Sequence, residues 1–270
     1  MNRFTAVLMT ASLVAAMGGF ARGQTPLVNP AGAQATQAAA QGDPSVDAVL
    51  DALDARGRSM NQFVADVTLS ENDEATQAGS ERSGRVWYHK RQGNDRIRVT
   101  FDQKAEGWFS KPDKIEYLLD GGWLIDRDYK RAIEVKRQVL RPGEKVNLLK
   151  LGEGPFPLPI GQPKEDVHRE FIVSKGDPAM EGPKGTSHIA LKPRESTRLA
   201  KKFAQIDVWV DPQTQMPVRI EALDANETTR RTTELRNIKV NPEPPLGDQD
   251  FALPKVDESK WELHTEPYQD

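Results

Sequence analysis

The sequence predicts a mainly β (α+β) protein: an antiparallel meander of about nine to eleven strands, preceded by one amphipathic helix and interrupted by an apolar, proline-bearing insertion. Three observations predict it. Short apolar runs recur from residue 62 onward with period-two alternation, the mark of strands with one wet face. Most links between them are turn-length, too short for the crossover that parallel neighbours need. One stretch, 44–60, repeats its apolar residues at helical spacing. A sheet of this many strands is expected to curl, and the helix is the apolar element available to cover its concave side.

Residues ahead of the fold read as an export signal and a linker. Met1-Asn2-Arg3 is a short positive start, and Ala6–Met17 an apolar run too short for a bilayer span of about 20 residues. Gly19, Ala21 and Gly23 supply the small residues of a cleavage site, with the cut before Arg22 or Gln24, so 1–23 is expected to be removed. Residues 24–43 are uncharged up to Asp43 and rich in Ala and Gln, a flexible lead-in. The folded domain is expected over 44–254 and a loose charged tail over 255–270, with Trp261 its one candidate for docking.

Asp43-Pro44 is a helix start, and Val46, Val49, Leu50 and Leu53 form the apolar stripe that follows. Phe63, Ala65, Val67 and Leu69 alternate in the first strand; 84–90 and 96–101 give the next two. The polar stretch 71–81 and the segment 102–114, with Gly107, Trp108, Phe109 and Pro112, read as loops. Asp120-Gly121-Gly122 is a hairpin turn between strands at 115–119 and 123–126, and 131–139 continues the meander. Residues 146–149 suggest a helical turn, and the prolines of 155–161 deny that segment a central strand. A short helix at 165–171 leads to strands near 172–174, 188–193, 206–210, 217–223 and 230–240, with Asp211-Pro212 a type I turn. Alternation puts Ile97, Val99, Phe101, Val208 and Val210 on the inner face and Arg96 and Arg98 outside. Trp123 and Leu53 are added to the inner set.

The composition narrows the function classes. The 270 residues carry a net charge of −3 with both signs mixed, which argues against a nucleic-acid binder with a basic face. The chain has no cysteine, which removes disulfides, thiolate sites and a lipid-bearing N-terminal Cys. The four histidines, His89, His168, His188 and His264, have no metal-ligand spacing, and neither a nucleophile elbow nor a phosphate loop is present. Nothing assigns a catalytic group, so the chain reads as a nonenzyme without a cofactor or metal.

Several segments then resemble one family. Gly84-Arg85-Val86-Trp87-Tyr88-His89-Lys90-Arg91 is similar to the second-strand motif of the LolA periplasmic lipoprotein carriers. Leu118–Asp126 resembles their Asp-Gly hairpin, and Gly154–Gly161 their proline-bearing lid segment. Phe203–Asp211, Leu235–Asn241 and Phe251–Pro254 follow in the family's order, so the resemblance spans 45–254. It implies an incomplete, strongly curved antiparallel β-barrel under a lid made of the N-terminal helix (Val46, Val49, Leu50) and the insertion (Phe156, Leu158, Ile160). The implied cavity shields acyl chains of lipoproteins or lipids. It also implies a monomer in the periplasm, served by an inner-membrane ABC-type releasing complex and an outer-membrane acceptor. The family's lid latch falls on Lys90 or Arg91, but Gln92 replaces the proline expected next. A sensor module of the RseB type shares the implied fold and is the alternative role.

Overall fold

The computed structural model describes residues 44–91, 95–141, 144, 149 and 160–268. Its first element, α1 (Pro44–Ser59), has Asp47 in the first turn and Arg56 and Arg58 in the last, each sign matched to the helix dipole. Val46, Leu50 and Leu53, spaced four and three residues apart, are buried along one face. Twelve strands follow among the described residues: β1 (Gln62–Asp73), β2 (Gly79–His89), β3 (Arg96–Glu106), β4 (Phe109–Asp120), β5 (Trp123–Asp128), β6 (Ile133–Gln138), β7 (Phe171–Lys175), β8 (Ser187–Pro193), β9 (Phe203–Asp211), β10 (Met216–Asp224), β11 (Thr229–Val240) and β12 (Glu262–Glu266). Helix α2 (Lys164–Glu170) runs directly into β7, and a single turn, α3 (Asp248–Phe251), precedes the last strand.

All twelve strands form one sheet in the order β12-β6-β5-β4-β3-β2-β1-β11-β10-β9-β8-β7. The sheet does not close, and the fold is an incomplete, curved barrel of mostly antiparallel strands. Directly opposed residues share a face, so the register gives the inner face as rows. One row runs Phe63, Tyr88, Ile97, Leu119, Leu124. In the other half Ile189, Val208 and Ile220 form a second. These rows and the α1 stripe make a single core.

The arms of two hairpins are longer than the sequence predicts. Residues 71–73 and 79–81 are paired strand around a short turn, and 102–114 is the β3–β4 hairpin rather than a loop. Both stretches are polar because their side chains pair laterally, as in Arg82–Asp113 at 2.9 Å and Arg231–Glu71 at 2.9 Å. Pro112 is tolerated beside the register shift between Phe101 and Gln103.

The tail also departs from expectation. Residues 247–261 cross the outer face of β2–β5, and β12 then pairs with β6 in parallel. Trp261 docks edge-on against Tyr129, centroids 5.1 Å apart. Arg96 and Arg98 lie beneath this strap, on the outer face that alternation assigns them. Both point outward yet are covered: Arg96 lies 4.0 Å above the Phe251 ring and pairs with Asp248, and Arg98 donates to the Asp250 carbonyl at 2.9 Å. Beneath them Glu116 is fully buried. Burial pushes its carboxyl up, but hydrogen bonds from Tyr129 and Arg98, with Lys114 nearby, outweigh that and hold it below the usual value.

Candidate functional site

The concave face and its helical cover are built from residues spread over the whole sheet. Ile97, Val99 and Phe101 lie on β3, and Val208 and Val210 on β9, all buried and all in one core with the α1 stripe. Leu53, Leu50 and Val46 project from the helix into that core, with Val49 half-buried at its edge. Ile160, Val167 and Phe171 belong to the same core. Phe101 adds an edge-on contact to Tyr117, centroids 6.4 Å apart.

Trp123 is not part of this lining. The turn at Gly121-Gly122 pairs Asp120 with Trp123 and Leu119 with Leu124, so Leu124 faces inward and Trp123 outward. Its ring lies under the Lys136 ammonium at 4.8 Å. The alternation Trp123, Leu124, Ile125, Asp126 favours the wrong face because two of its three apolar residues, Trp123 and Ile125, are half-buried on the outer side. Ile160 is buried in the core. Phe156 and Leu158 lie outside the described residues.

The cover is held by polar contacts at its edges. Lys90 Nζ donates to the Gly57 carbonyl at 3.1 Å, whereas Arg91 pairs with Asp248 of the strap at 3.0 Å. Of the two latch candidates, Lys90 reaches the helix. The Gly161 N–H donates to the Leu53 carbonyl at 3.2 Å, and Arg56 Nε to the Thr214 carbonyl at 2.7 Å. Near the other end α2 clasps α1 twice. Lys164 Nζ lies 2.8 Å from Asp51, and His168 Nε2 lies 2.9 Å from Asp47 Oδ1. The Asp51 hydrogen bond holds the Lys164 ammonium above its ordinary value. Sequence reading passed over these partners; Asp47 and Asp51 at i and i+4 carry the signal, a second stripe beside the apolar one.

A buried carboxylate and a cleft at one end of the helix add to these contacts. Asp126 opposes Tyr117 on one side and Val135 on the other, so its carboxylate belongs to the concave face. Burial raises it to about 6, partly countered by Arg137. At the N-terminal end of α1 a cleft of about 490 Å³ opens between Val46 and Val49 of the helix, Ile189 of β8, and Met180, and its wall continues to His188 and Trp209, which the register places on the outer face. His188 stacks on Trp209 with centroids 4.1 Å apart and lies 2.9 Å from Asp207.

Solved structures of related shape exist at low identity. An uncharacterized conserved protein from Thermus thermophilus is 13% identical, over 82% of this chain and 99% of that one, with a TM-score of 0.46. MucB is 11% identical over 79% of this chain, which spans 64% of MucB, with a TM-score of 0.45. A LolA superfamily protein from Nitrosomonas europaea is 11% identical over 77% of this chain and 97% of its own, with a TM-score of 0.32. No family model and no curated protein matches the chain. Among the described residues no helix is long and apolar enough to cross a membrane, and no cluster of three or more His, Asp or Glu could hold a metal ion.

Proposed function

We propose that this protein is a noncatalytic periplasmic carrier that shelters acyl chains of lipoproteins or lipids between α1 and the concave face, and passes them toward the outer membrane. The observation that carries the reading is that one helix covers the apolar face and is fastened at its edges by replaceable polar contacts. Those groups can turn to water when the helix swings away, so opening strands no buried charge. The cleft beside Val46 and Val49 is the natural place for the separation to begin.

The energies are matched. Uncovering Val46, Leu50 and Leu53 of α1 and the buried Met60 just beyond it costs about 6–12 kcal/mol, at roughly 1.5–3 kcal/mol for each side chain. One sixteen-carbon chain returns about 12 kcal/mol gross. Cargo replaces the helix nearly evenly, which suits a protein that must also release. On this reading an ABC-type complex loads the carrier and an outer-membrane acceptor empties it.

A reversible lock tests the proposal. The chain has no native cysteine, so Asp47→Cys and His168→Cys can be bridged by a short bis-methanethiosulfonate linker. The bridged protein is expected to lose saturable uptake of a fluorescent acyl probe and to regain it on reduction. Uptake unchanged by the bridge removes α1 as the moving cover, and absence of uptake in the unbridged double variant and the parent alike removes the carrier.

A further inference from the structure

The β3–β4 hairpin ends in a two-residue turn, Gly107-Trp108, with Glu106 paired to Phe109. Gly107 has φ +57°, and a Cβ there would meet nothing within 4 Å, so the turn stands clear of the body. Trp108 is 101% exposed and Phe109 83% exposed. Two adjacent large aromatics at the apex of a narrow hairpin contribute nothing to the core, whereas loop tips are ordinarily small or polar.

We propose that this apex docks the protein on a lipid bilayer, with Trp108 and Phe109 seated in the membrane–water interface. Tryptophan concentrates at that depth, where its ring meets hydrocarbon and its N–H stays wet. The shape also selects the partner. A protein pocket that takes an aromatic anchor is ringed by contacts that exclude water. Here the flanks are Glu106, Ser110 and Lys111 on the hairpin and Gly79 and Ser80 on the neighbouring strand, a narrow polar stem with no apolar rim. A bilayer needs no such rim. Lys104 and Lys111 lie within about 10 Å of the apex at roughly 3.3 Å per residue, at headgroup level. Both face Glu106, at 2.5 and 3.8 Å, and Glu81 opposes Ala105 on the neighbouring strand while Arg82 pairs with Asp113, so the stem's charges balance. Docking should therefore rest on the aromatics and not on lipid charge. This inference stands apart from the acyl cavity.

The test is flotation with phosphatidylcholine vesicles at low and high salt, comparing the parent with the double variant Trp108→Ser/Phe109→Ser. The parent is expected to float in both salts, and brominated lipid should quench part of its tryptophan emission. The double variant should bind at least about a hundredfold more weakly, since each large aromatic leaving an apolar layer forfeits about tenfold or more. Its thermal midpoint and probe uptake should be unchanged. Equal flotation of the variant, no flotation of the parent, or binding that needs anionic lipid and vanishes in salt each overturns the proposal.

Discussion

A Cβ at Gly57 would stand 2.2 Å from the Gly161 Cα, backbone against backbone. Helix propensity alone favours Gly57→Ala by about 1 kcal/mol. Forcing the two segments apart costs about 1–3 kcal/mol and lengthens the Gly161–Leu53 hydrogen bond as well. The substitution is expected to lower the urea midpoint despite the better helix former; a higher midpoint would mean the close approach is not limiting. Asp126 gives a pH signature. Its ordinary value is about 3.9 and the folded one about 6. The native state thus binds the proton more tightly, so stability falls as pH rises from about 4 to 6 and the penalty is complete above that window. Asp126→Asn should gain close to nothing near pH 4 and about 2 kcal/mol near pH 8, read from unfolding curves across pH. Residues such as Ile97, Val99 and Phe101 are legible in sequence because charged residues alternate with them. Trp123 is not, since Trp123 and Ile125 outweigh Leu124 in a pattern whose two faces are both partly covered.

At the scale of elements, α1 and most strand centres follow from periodicity, whereas the strand ends do not. The arms at 71–73, 79–81 and 102–114 are held by ladders and ion pairs with no apolar face to announce them. The tail was hidden for a related reason. It docks through single anchors, Phe251 over Arg96, the Pro254 carbonyl accepting from Arg127 at 2.6 Å, Trp261 on Tyr129 and Glu266 on Arg137, spaced without a period. Ending the chain after Pro254 removes the last two and bares the β6 edge. We expect a melting temperature lower by roughly 5–10 °C, taking about 2–4 °C for each kcal/mol in a domain of this size, and a concentration-dependent shift to larger species in sedimentation as β6 seeks another strand. An unchanged melting temperature and a monomer at all concentrations would mean that the strap is ornamental to stability.

For the molecule as a whole, the open curved sheet and the covering helix follow from counting strands and finding one amphipathic helix ahead of them. What fills the concavity does not follow, because alternation fixes which way a residue points and not what it meets. Here the lining, the α1 stripe and Ile160 share one core.

The placement of β1 has a consequence for how the molecule is made. The first strand lies near the centre of the sheet, and Phe63 finds Val240 across the seam with β11. The halves of the hollow are stitched together only when the closing strand arrives, late in synthesis. A chain emerging in order therefore holds β1–β6 with one flank of β1 unpaired until β11 is made, and the joining of the two halves falls among the last steps of assembly.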